Sequence, residues 1–209
     1  MSRFAETAAA LVALLCLVLI TLAYNSVPTL AQGFPPPVLD TEGKPVTELA
    51  RYYILQQPSQ VINEGGLTLI SRNGSCPLYV GQDPTSSLIG RPVRISLFYV
   101  RDLLTIYQST DVSVSFEGST TCTSSSTDWA IGQDTKNGKT LITTRRENMP
   151  SDPFLIVKEG NHYKLRYCPT QGCGDKPCRC GDAGIVVENG RRLLAIGVNP
   201  ALPVVFKRA

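Results

Sequence analysis

The sequence predicts an all-β, disulfide-braced domain of about twelve short strands. Three observations predict it. Short apolar stretches recur between turn residues, no sustained helical period follows the amino terminus, and the exported part of the chain carries an even number of cysteines.

The amino terminus comes first. Arg3 precedes an apolar run from Ala8 to Ala23, and a polar stretch ends in Thr29-Leu30-Ala31. A basic start, a short apolar middle and a small residue before the cut predict a secretory signal peptide over residues 1–31. The competing reading is a membrane anchor, but the run spans 16 residues where a spanning helix needs about 20. The mature chain is then expected to begin near Gln32. Cys16 leaves with the signal, so the seven cysteines become six. In an oxidising compartment these read as disulfides.

Residues 32–209 suffice for one sizeable core and are read as one domain without an internal linker. Pro35 to Pro37 predicts a stiff, extended lead-in, because proline offers no ladder donor. Strands are expected at Tyr52 to Leu55, Leu67 to Ile70, Val93 to Val100, Leu103 to Tyr107 and Val112 to Phe116. Further ones follow at Leu141 to Thr144, Phe154 to Val157, Tyr163 to Tyr167, Ile185 to Val187, Leu193 to Ile196 and Val204 to Phe206. Val112-Ser113-Val114-Ser115-Phe116 alternates strictly, which puts its apolar residues on one face. Asn-Gly pairs at 73–74, 137–138 and 189–190 mark tight turns, since both residues tolerate positive φ. Segments near 38–92, 93–147 and 148–206 have similar lengths and about four strands each. Three such pseudo-repeats suit a β-trefoil, in which three four-strand units close one barrel.

Catalytic vocabulary is sparse. His162 is the only histidine, so any Ser-His-Asp or Cys-His pair would have to use it. It follows the Glu159-Gly160-Asn161 turn, where a solvent-facing role is expected. No glycine-rich phosphate loop or His-x-x-x-His metal pair occurs. Asp40, Glu42, Asp111 and Asp182 lie near turns, where carboxylates cap or stay solvated. No enzyme activity, metal or cofactor is expected. The net charge of +3 comes without a basic cluster, which argues against nucleic acid. Trp129 is the sole tryptophan and no Gln-x-Trp occurs, which disfavours sugar binding. Asn73-Gly74-Ser75 is a glycosylation sequon suited to an exposed turn.

Several ordered motifs carry a family resemblance. The opening is Val38-Leu39-Asp40-Thr41-Glu42-Gly43, followed by Tyr52-Tyr53-Ile54 and Gly65-Gly66-Leu67-Thr68-Leu69. Cys76-Pro77-Leu78-Tyr79-Val80, Ser109-Thr110-Asp111-Val112, Cys122 and Ser126-Thr127-Asp128-Trp129 come next. Tyr163-Lys164-Leu165 before Cys168-Pro169, and Val204-Val205-Phe206-Lys207, complete the series. With these residues the mature chain resembles the plant Kunitz family, the soybean trypsin inhibitor type, and some stretches are most similar to its miraculin-like branch.

The resemblance implies a β-trefoil, inhibition of an endopeptidase (a serine protease by default), and action as a monomer in plant defence. It implies the bridges Cys76–Cys122 and Cys168–Cys180, with Cys173 and Cys178 left to form a third. A zinc site at Cys168, Cys173, Cys178 and Cys180 is the alternative, though the spacing is atypical for structural zinc. It further implies a reactive loop at Leu97, Phe98, Tyr99, Val100, Arg101 and Asp102, with Tyr99, Val100 or Arg101 setting specificity. Arg101 would suit an acidic-floored pocket, but Asp102 would then follow the targeted bond. Tyr99 would fit a large apolar pocket and Val100 a small one. The competing structural reading extends the strand to Val100 and buries Leu97 and Tyr99.

One departure stands out. Inhibitory members of the family brace the loop with an asparagine, and Glu48 occupies that position here. A carboxylate cannot donate to loop carbonyls, so a looser loop and weak trypsin inhibition are expected. The alternatives are a miraculin-like defence or storage protein with little inhibition, or an inhibitor of an amylase or cysteine protease through another surface. Export is expected to end outside the cell or in a vacuole.

Overall fold

Alternating valines and serines make the simplest strand. Val112, Val114 and Phe116 are buried, while Ser113 and Ser115 between them are half-buried. The same logic repeats along a computed structural model that describes residues 33–58, 65–72, 74, 76–85, 87–99, 103–122, 125–134, 138–169 and 180–209. The expected signal peptide, Asn73, Val100 to Asp102, Cys173 and Cys178 lie outside the described residues.

Twelve strands follow in order. They are β1 Tyr52–Gln56, β2 Leu67–Ile70, β3 Tyr79–Gln82, β4 Val93–Leu97, β5 Asp111–Phe116 and β6 Ser125–Asp134. Then come β7 Thr140–Arg146, β8 Phe154–Glu159, β9 His162–Tyr167, β10 Gly181–Glu188, β11 Arg191–Ile196 and β12 Val204–Arg208. Six of them close a ring. Antiparallel pairing runs from β1 to β4, β4 to β5, β5 to β8, β8 to β9, β9 to β12, and back to β1. The other six form three hairpins, β2–β3, β6–β7 and β10–β11. These meet at Tyr79↔Thr143, Leu193↔Gly81 and Ala195↔Leu141, capping the barrel as a triangle. This is the β-trefoil, with four strands in each of its three units.

The unit boundaries differ from expectation by one strand. Each unit consists of a barrel strand, a hairpin and a second barrel strand: β1–β4, β5–β8 and β9–β12. The expected division assigned β4 and β8 to the following unit, because it counted the lead-in as part of the first. Residues 33–51 contain no strand of their own. The expected strand at Leu103 to Tyr107 is likewise reduced to two bridges, Thr47↔Thr105 and Pro37↔Tyr107. Its partner is a proline-rich lead-in that cannot supply a continuous row of N–H donors.

Inside the barrel, Phe116, Trp129, Phe154 and Tyr167 form a chain of tilted or edge-on rings 5.6–6.0 Å apart. Trp129, Phe116 and Phe154 are each no more than 2% exposed. Burying side chains of this size contributes about 1.5–3 kcal/mol apiece. A smaller, separate cluster of Leu141, Leu193 and Ala195, packed with Ile70 and Tyr79, lies on the hairpin strands. Two buried tyrosines then hold the lead-in. The Leu39 N–H donates to Tyr163 Oη at 2.9 Å, and the Thr47 N–H donates to Tyr52 Oη at 3.0 Å.

Candidate functional site

That anchored lead-in delivers Glu48 to the root of the β4–β5 connection. β4 ends at Leu97, where two neighbours hold the chain. On one side the Phe98 N–H donates to the Asp111 carbonyl at 2.9 Å. On the other the Leu97 N–H donates to Glu48 Oε1 at 2.5 Å. The returning leg is tied to the same residue, since the Glu48 N–H donates to the Leu104 carbonyl at 2.9 Å. Ile106 N–H then donates to the Val46 carbonyl and Val38 N–H to the Ile106 carbonyl, both at 2.9 Å. One residue, Glu48, therefore holds the chain on both sides of residues 98–103.

Glu48 thus holds the strand end as an acceptor. A carboxylate cannot donate to loop carbonyls as an amide does. The strand end instead presents an amide N–H, for which a carboxylate is a strong acceptor. Charge-assisted bonds of this kind contribute roughly 1.5–3 kcal/mol, less where solvent reaches the pair. Burial also holds the Asp111 carboxyl above its ordinary value beside the same root.

Beyond Leu97 the chain leaves the sheet. Leu97 is half-buried against the core. Tyr99 is 62% exposed, so the reading that buries it does not hold. The Phe98 ring meets Tyr99 edge-on at 4.8 Å, which stiffens the exposed ring. Val100, Arg101 and Asp102 fall outside the described residues.

Two disulfides are present among the described residues. Cys76–Cys122 has a Cα–Cα distance of 5.6 Å and a sequence separation of 46, so it encloses Leu97 to Asp102 within its loop. Cys168–Cys180 closes the shorter loop within which Cys173 and Cys178 fall in sequence. A zinc site on these four cysteines is incompatible with Cys168 and Cys180 being bonded to each other.

Asp40, Glu42, Asp182 and His162 have structural partners. Asp40 Oδ1 accepts the N–H groups of Glu42 and Lys44, both at 2.9 Å, and caps the lead-in turn. Glu42 pairs with Lys44 at 2.8 Å. Asp182 accepts Arg166 Nε at 2.6 Å and lies 3.4 Å from Lys164 Nζ. Arg166, ahead of Lys164, holds its carboxyl below the ordinary value. His162 faces Asn161 Oδ1 at 3.3 Å and Glu159 Oε2 at 3.4 Å, within the β8–β9 turn. Sequence reasoning missed Asp152. It accepts the Ile131 N–H at 2.8 Å and the Tyr167 hydroxyl at 3.4 Å, in a cleft of about 460 Å³. Burial, with the Asp152 charge, pushes the Tyr167 hydroxyl up to about 12.

Comparison with known proteins agrees with this geometry. A family described as trypsin and protease inhibitor, Kunitz legume type, matches residues 38–208. Kunitz type trypsin inhibitor 104 of Medicago truncatula is 39% identical over 178 residues, covering 82% of this chain and 87% of its own. The solved rice bifunctional alpha-amylase/subtilisin inhibitor from Oryza sativa superposes with a TM-score of 0.68 at 33% identity. That match covers 84% of this chain and 99% of the rice protein. Soybean trypsin inhibitor superposes with a TM-score of 0.67 at 29% identity, covering 85% and 100% respectively.

Proposed function

We propose that this chain, which belongs to the Kunitz family of trypsin and protease inhibitors, blocks an endopeptidase by offering residues 97–102 to its cleft as a substrate-shaped segment. The clamp at Glu48 carries this reading: a segment bonded at both ends enters a cleft with little further loss of entropy. Exposure of Tyr99 supports its display. The Cys76–Cys122 bridge limits how far the chain on either side of the segment can separate. The inhibitor is a binding protein and not an enzyme. A serine protease is the proposed target class, and the protein is proposed to act as a monomer. The proposed signal peptide would export it to the cell exterior or a vacuole, and Asn73 would carry a glycan.

A second reading has its own support, because a 33% identical relative is named as an alpha-amylase/subtilisin inhibitor. In that case a further surface of this chain would face an amylase. Titrating the purified protein against trypsin, chymotrypsin, subtilisin, papain and an alpha-amylase separates the readings. Tight inhibition of a serine protease, lost when Tyr99, Val100 or Arg101 is changed to alanine, is the expected result. Protease inhibition indifferent to all three changes would move the site off this loop.

A further inference from the structure

We propose that Leu49 and Leu104 flank Tyr99 as a second, apolar contact strip, fitted to an endopeptidase whose cleft is bordered by apolar surface. This rests on the loop reading above and extends it to the lead-in.

Isolated apolar side chains on a surface need no explanation. Here three of the large ones exposed among the described residues meet at one clamp. Leu49 is 78% exposed, Tyr99 62% and Leu104 51%. Leu49 follows Glu48 directly, the Leu104 carbonyl accepts the Glu48 N–H, and Tyr99 lies two residues beyond the Leu97 N–H held by Glu48 Oε1. The lead-in turn fixes Leu49 outward. Ala50 N–H donates to the Thr47 carbonyl at 3.3 Å, and Val46 and Ala50 occupy the interior on either side. Turn positions favour glycine, proline, asparagine, aspartate and serine. A leucine held out at such a position contributes little to folding, and its chemistry suits a partner.

Leu104 lies two residues past the loop, and Leu49 one residue past its clamp. A reactive segment gains affinity when neighbouring contacts exclude water around its anchor, even if each contributes modestly. Leu49 and Leu104 are placed to do this, and they would select partners with apolar rims over those with charged ones.

The test uses the full mature protein and the serine protease that it inhibits most tightly. Ki is measured for Leu49→Asp and Leu104→Asp, with Leu49→Ser as a milder change. Val187→Asp serves as the control, an exposed apolar residue on β10 in the hairpin cap. Ki is expected to rise roughly ten-fold or more for each aspartate variant, with melting temperature and the control unchanged. Wild-type Ki in both aspartate variants, while Tyr99→Ala or Arg101→Ala abolishes inhibition, would overturn the strip and leave the loop reading intact. Absence of inhibition by the unaltered protein would overturn both.

Discussion

Glu48 couples two stretches of chain, because Leu97 bonds to its side chain and Leu104 to its backbone. Only the side-chain half is open to mutation. Glu48→Gln keeps an oxygen acceptor, so inhibition is expected to stay within a few-fold of the unaltered protein. Glu48→Ala removes the acceptor and frees the Leu97 N–H, raising Ki by about ten-fold, the equivalent of one charge-assisted bond partly screened by water. Ki measured in parallel with melting temperature checks this, since a general loss of fold would move both variants together. Position 48 was legible from its distance to the opening motif. Its role was not, because the partner lies 49 residues away and nothing local marks which backbone group the strand end leaves free.

Strands with clear alternation or apolar runs, such as β5 and β8, were readable directly. β3 and β6 were not read as strands. β3 reads Tyr-Val-Gly-Gln, and β6 mixes serines and Asp128 with Trp129 and carries register shifts after Ser125 and Ile131. Gly81 interrupts the apolar period of β3, and the serines, Asp128 and register shifts interrupt that of β6. Gly81 shows what the hairpin cap requires. A Cβ there would sit 2.2 Å from Ile70 Cδ1 and 2.5 Å from the Arg192 carbonyl oxygen. Gly81→Ala is therefore expected to destabilise the protein by about 1–3 kcal/mol, read by urea unfolding. Trp129, 1% exposed and the only tryptophan, provides the fluorescence signal. Between β9 and β10 the Asp182 pairing makes a pH-dependent contribution. Its folded pKa lies below the ordinary 3.8, so the stabilisation is present above that value and is lost as pH falls through the lowered one. Asp182→Asn should melt below the unaltered protein near neutral pH, and the gap should close in acid. A gap that persists unchanged at the lowest pH would contradict the assignment.

At the scale of the whole molecule, turn punctuation and strand count revealed the trefoil, because three similar units leave a rhythm even where their residues differ. The unit boundaries were misread since the lead-in imitates part of a unit in length while making only bridges. Cys76–Cys122 joins the first unit to the second and encloses the reactive segment. Replacing both cysteines by serine should cost about 2–4 kcal/mol, measured as a lower urea midpoint. Inhibition should weaken with it if the bridge supports the loop.

In the proposed mode of action a protease meets residues 97–102 as a substrate held at both ends. Incubation with a catalytic amount of the inhibited protease, followed by amino-terminal sequencing of the fragments, tests this most directly. A single slow cut at a bond within residues 99–102 is expected. Both fragments should stay joined through Cys76–Cys122, and inhibition should be retained before reduction. A first cut elsewhere in the chain, or inhibition with this segment never cleaved and insensitive to its replacement, would contradict it.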